Sequence, residues 1–135
     1  ARAAFVGLHS AAEPLAEAAR QAEARIAALP RPFDVVVLGM GTDGHAASLF
    51  ADAPNIAELL DPAAAALVLP VVSASAREPR LTLSLPVIAG ARHVCVQVEG
   101  LEKKELLLAC LDGDLKPPPP IATIFDPPAS ACRPA

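Results

Sequence analysis

FDVVVLGMGTDGHAASLF, residues Phe33 to Phe50, carries a strand signal, a turn signal and a pair of titratable side chains in one short span. Val35 to Leu38 is a β-branched and apolar run without alternation, which predicts a central strand covered on both faces. Gly39, Gly41 and Gly44 follow at the spacing GxGxxG, so the chain turns sharply where the strand ends. Asp43 and His45 lie two residues apart in that turn, at the carboxyl end of a strand, where open α/β sheets hold their ligands. A dinucleotide-binding turn would need a full crossover helix from the third glycine and an acid at the end of the next strand. Neither is present: only His45 to Phe50 precede the breakers Asp52 and Pro54, and Asp61 follows Leu59 and Leu60 in a helical segment. Two readings of the turn stand. In one, Asp43 orients His45 and backbone amides face a substrate oxyanion; in the other, Asp43 caps a short helix and His45 is a satisfied polar residue near the surface.

Upstream, Ser10 and Glu13 have the form of a capping box, and Leu15, Ala19, Ala22, Ile26 and Leu29 recur at helical spacing. A helix over 11–29 is expected, ended by Pro30 and Pro32. Downstream, Asn55 to Leu60 reads as a short helix, and Leu67 to Val72, Leu81 to Leu85 and His93 to Val98 read as strands. Gly100 opens a helix through about Leu111, Pro117 to Pro120 reads as a stiff spacer, and Ile121 to Phe125 as a last short strand. Helices and strands interleave, so the fold class is α/β, with one domain over 1–125 and a loose tail over 126–135.

The chain has 135 residues and a formal net charge of −4, from 11 basic and 15 acidic residues. The basic residues are scattered, and Tyr and Trp are absent, which speaks against a nucleic-acid partner. No apolar run is long enough to span a bilayer, so no membrane partner is expected, and without a secretory signal the cytoplasm is the expected compartment. Cys95, Cys110 and Cys132 are far apart and form no CxxC, giving neither a disulfide framework nor a zinc site. Cys95 and Cys110 read as small buried hydrophobes, and Cys132 as a tail residue. His9 reads as solvated, His93 as structural, and Ser48 as a packing residue, since its one nearby base is His45.

PFDVVVLGMGTDGHAASLF resembles the signature of the 6-phosphogluconolactonase family, and the likeness extends through Arg80 to Pro86 and through ARHVCVQVEGLEKKELL. The related glucosamine-6-phosphate deaminases share the GxGxDGH turn, but AASLF after His45 favours the lactonase. The resemblance implies a three-layer α/β sandwich with a mainly parallel central sheet, as in ribose-5-phosphate isomerase and those deaminases. It implies hydrolysis of 6-phospho-D-glucono-1,5-lactone, with His45 as general base, Asp43 as its adjacent acid and Gly41 and Gly44 as turn glycines against the substrate. Arg80 and Lys103 match positions that hold the substrate phosphate, and no metal or other cofactor is implied. Thr42, Ala46 and the pair Ala51 and Asp52 depart from the family pattern without removing a chemical group. The family's amino-terminal portion, with a further phosphate loop, is not found before Ala11, so an absent portion or self-association is expected as the partner. A deaminase or isomerase of an amino-sugar phosphate, and a non-catalytic phosphosugar-binding fragment, are the alternatives.

Overall fold

Five helices and four strands are interspersed along residues 3–125, the part of the chain that the computed structural model describes. Cys132 and the tail over 126–135 lie outside the described residues. Strand β1 (Val35–Gly39) pairs in parallel with β4 (His93–Gln97), Val35 opposite His93 and Gly39 opposite Gln97. Strand β2 (Val68–Val71) pairs antiparallel with β3 (Arg80–Leu83), Val68 opposite Leu83 and Val71 opposite Arg80.

Helix α1 (Leu15–Ala27) starts later than the capping-box pattern predicts. A helix from Ala11 would make Pro14 its fourth residue, the first whose N–H is owed to an intrahelical carbonyl, and the ring would clash with the Ser10 carbonyl. Pro14 becomes the N-cap instead, while the Ser10 hydroxyl accepts the Ala12 N–H and donates to Gln21 Oε1. The buried face of α1 is Ala18, Ala19, Ala22 and Ile26, and the small side chains bring its backbone close to Val68 of β2.

Strand β3 inverts its apparent alternation. Thr82 and Ser84 are fully buried, while Leu81 and Leu83 are half-buried and join the cluster under α1. The strand is covered on both faces, and Thr82 is satisfied there: its Oγ1 accepts the Ser48 N–H at 3.4 Å and donates to the Leu83 carbonyl at 3.1 Å. Leu85 does not extend the strand; it opens a short helix, α3 (Leu85–Ala89), with Pro86 in its first turn. Pro86 acts as a helix start, because its missing N–H would have had no partner there. The same substitution of signals occurs at the end of the described chain, where Pro120–Phe125 is helix α5 rather than a strand. Helices α2 (Ile56–Leu59) and α4 (Leu101–Asp112) match the expected helices to within about a residue at most ends.

The main core lies between the inward face of β1 and β4 (Val36, Leu38, Val94, Val96) and the buried residues of α3, α5 and the 46–53 segment. Among the described residues, nothing covers the opposite face of the β1–β4 pair. Val35 and Val37 are 54% and 65% exposed, and His93, Cys95 and Gln97 are exposed beside them. This corrects the expectation of a strand covered on both faces and of a buried Cys95. The apolar run of β1 is what a doubly covered strand requires, but among the described residues only one cover is present.

Candidate functional site

Beyond Gly39, Met40 stays buried and bridges to Ala46, so the chain folds back on itself through a turn closed by Gly41 N–H to His45 O (2.9 Å) and Gly44 N–H to Gly41 O (3.1 Å). Within it, Asp43 Oδ1 accepts the His45 backbone N–H at 3.2 Å and lies 2.5 Å from His45 Nδ1. An ionised carboxylate only accepts, so Nδ1 carries a proton, and in the neutral imidazole the lone pair then falls on Nε2. Burial works to raise the Asp43 carboxyl. The His45 amide, the imidazole hydrogen bond and the imidazole charge together outweigh it and hold the group below its ordinary value. The imidazole also lies against the Phe50 ring, centroids 4.3 Å apart and planes tilted by 32°.

Two glycines make this geometry possible for different reasons. A Cβ on Gly41 would fall 2.3 Å from His45 Cε1 and Nδ1 and 2.5 Å from Asp43 Oδ1, so this position gives the dyad its room. Gly44 has φ +78°, a left-handed conformation that costs an L side chain about 1–2 kcal/mol. Gly41→Ala is therefore expected to separate Asp43 from His45 while the chain still folds. The Nδ1–H resonance of His45 in a proton NMR spectrum should broaden or vanish, and its persistence unchanged would show that the turn has slack. No helix follows Gly44, so Asp43 does not act as a helix cap, and Ser48 lies in a turn instead.

Lys103, in the first turn of α4, lines a cavity of about 220 Å³ with Gly39, Met40 and Gln97, at the carboxyl ends of β1 and β4. Arg80 lies in another cleft, beside His9 and Ser10, where its guanidinium pairs with Glu78 at 3.2 Å and donates to the Ala76 carbonyl at 3.4 Å. The structure thus assembles Asp43, His45, Gly41 and Gly44 in one turn, with Lys103 beside the strand ends that lead into it and Arg80 engaged elsewhere. Phe50 against the imidazole and Thr82 beneath Ser48 are contacts that spacing alone does not reveal, since they depend on how the turn lands on the core.

The segment after the turn is pinned by Asp52, whose carboxylate accepts the Ser73 hydroxyl at 2.6 Å and the Ser75 amide and hydroxyl at 3.0 Å each. The Ser73 hydrogen bond leads in holding the Asp52 carboxyl below its ordinary value. A carboxyl lowered by folding stabilises above its unfolded value of about 3.9, and the contribution is lost as pH falls through the folded value. Asp52→Asn should accordingly melt below wild type at pH 7, with the two melting curves converging as the solution is acidified past that range. A gap that persists at low pH would mean the carboxylate charge is not what holds the loop.

Residues 1–132 match the family described as glucosamine-6-phosphate isomerases/6-phosphogluconolactonase. The chain is 47% identical over 124 residues to a 6-phosphogluconolactonase of Mesorhizobium japonicum, covering 90% of this chain and 50% of that protein. It is 42% identical over 128 residues to one of Pseudomonas putida, covering 94% and 52%. Among solved structures, a 6-phosphogluconolactonase from Shewanella baltica superposes with a TM-score of 0.82 at 30% identity, covering 91% of this chain and 52% of that one. One from Thermotoga maritima does so with a TM-score of 0.64 at 29% identity, covering 82% and 46%. The chain spans about half the length of the relatives it matches. Its α/β fold is theirs, and by sequence and structure alike this chain belongs to the glucosamine-6-phosphate isomerase/6-phosphogluconolactonase family.

Proposed function

We propose that this chain carries the histidine side of a site that hydrolyses 6-phospho-D-glucono-1,5-lactone to 6-phosphogluconate, a step of the oxidative pentose phosphate pathway, in the cytoplasm. The observation that carries this reading is the Asp43–His45 pair, 2.5 Å apart, which leaves Nε2 as the free base at the carboxyl end of a parallel strand. Water attacks the lactone carbonyl as His45 Nε2 takes its proton, forming the new C–O bond and a tetrahedral oxyanion. The carbonyl re-forms as the bond to the ring oxygen breaks, and that oxygen takes the proton back from Nε2. A lactone is an activated ester, so no covalent enzyme intermediate is needed. Asp43 fixes the imidazole and offsets the charge it gains between the two steps. Lys103 supports the phosphate end of the substrate as a cation in the first turn of a helix, where anions are already favoured. Arg80 is the second proposed phosphate contact, and it must exchange Glu78 for the phosphate to serve.

Titration of the isotopically labelled chain with 6-phosphogluconate, with gluconate as the comparison, tests this. Amide shifts are expected around 39–45 and 99–104 with the phosphorylated acid. Lys103→Ala should weaken that binding about tenfold and leave gluconate unaffected, the loss of one charge-assisted contact of roughly 1.5 kcal/mol. Equal responses to the two acids, or shifts confined to other parts of the chain, would overturn the assignment.

A further inference from the structure

The proline-rich segment after Lys116 reads in sequence as a spacer, and the proposed chemistry makes no use of it. Its position gives it a task. Ile121 is the second residue of α5, and an amide in the first turn of a helix has no partner within that helix. Here the Ile121 N–H donates to the Gly44 carbonyl at 3.1 Å. Gly44 is the residue immediately before His45. The Pro119 ring stands on the same residue: a Cβ on Gly44 would come within 2.5 Å of Pro119 Cβ and 3.1 Å of its Cγ, with Leu106 Cδ2 at 3.8 Å. Beyond the contact, Ile121 and Ile124 are 0% and 5% exposed in the cluster that also holds Met40, Ala46 and Leu49. The far end of the segment is thus anchored in the core that the turn rests on.

We propose that Pro119 to Ile121 form a positioning strap for the histidine turn, holding Gly44 and through it the His45 imidazole in register with Asp43. The hydrogen bonds between Gly41, Gly44 and His45 fix the internal shape of the turn; the strap fixes its attachment on the α5 side. Proline suits that task because its ring limits the backbone conformations from which the contact can be lost. The strap's bearing on rate rests on the hydrolytic reading of His45, whereas its bearing on the imidazole does not.

Pro119→Gly removes the ring while keeping the Ile121 N–H and both buried isoleucines. The chain has three histidines, so His45→Gln assigns the His45 signals in an NMR spectrum of the labelled protein. Pro119→Gly should melt close to wild type yet broaden the His45 Nδ1–H resonance. Where lactone hydrolysis is measured, it should lower kcat about tenfold with KM little changed. Gly44→Ala should lose the resonance outright. Combining it with Pro119→Gly should restore part of the signal, because the steric overlap with the ring is gone and only the left-handed backbone penalty is left. His45 signals that superimpose on wild type in Pro119→Gly, or a double variant no better than Gly44→Ala, would overturn the strap. With each variant joined to a portion that completes the site, absence of hydrolysis throughout, wild-type sequence included, would count against the proposed function, and the NMR result would still decide the strap.

Discussion

His45→Ala is expected to lower lactone hydrolysis about a hundredfold or more in a polypeptide that completes this site, the usual contribution of a positioned acid/base. The loss should fall on kcat, since the imidazole moves protons and does not hold the phosphate. Asp43→Asn should lie between wild type and His45→Ala, because the amide can present its NH₂ to Nδ1 and so favour the wrong tautomer, with Nε2 protonated. Circular dichroism and melting curves should be close to wild type for both, as His45 and Asp43 sit on a turn and not in the core. Hydrolysis is to be followed with fresh lactone and corrected for its spontaneous opening; near-full turnover in a folded His45→Ala variant would remove the base role.

The 135-residue chain by itself is expected to associate and to hydrolyse the lactone at little above the spontaneous rate. Val35 and Val37 leave an apolar strip on the uncovered face of the β1–β4 pair, and among the described residues each strand of this two-stranded ladder has one edge without a partner. Parallel strands are ordinarily covered on both faces, and open edges are templates for pairing with another chain. The exposed Leu101, Leu108 and Leu111 of α4 add to the apolar surface. Size-exclusion chromatography should show a dimer or larger species whose proportion rises with concentration, and Val37→Lys should shift it toward monomer. A monodisperse wild-type monomer turning over the lactone efficiently would show that the bare face needs no cover.

Much of this architecture is legible because it is written locally. The strand, the glycine turn and the Asp43–His45 pair lie within Phe33 to Phe50, so the spacing of neighbours carries both the turn and the contact inside it. Strand β4 and helix α4 were equally readable, the one by alternation from His93 and the other by the break at Gly100. Helices α3 and α5 were not. Helix α3 buries only Leu85 and Ile88, and α5 only Pro120, Ile121 and Ile124, too few for a periodicity to emerge, and Pro86 and Pro120 mark helix starts as readily as strand ends. Burial in β3 was hidden for a related reason: with both faces covered, Thr82 lies deeper than its leucine neighbours because a hydroxyl finds two partners there. Within the site, Phe50 on the imidazole and Ile121 on the Gly44 carbonyl join segments that only the tertiary fold brings together.

The role of His45 as the base of a lactone-hydrolysing site can be tested by joining the chain to the half of the Mesorhizobium japonicum relative that it does not match, and measuring 6-phosphogluconolactone opening with His45 intact and as His45→Gln. Hydrolysis well above the spontaneous rate with His45, reduced about a hundredfold or more with glutamine, is the expected result. A folded chimera that opens the lactone no faster than water does, or one indifferent to the loss of His45, would contradict it.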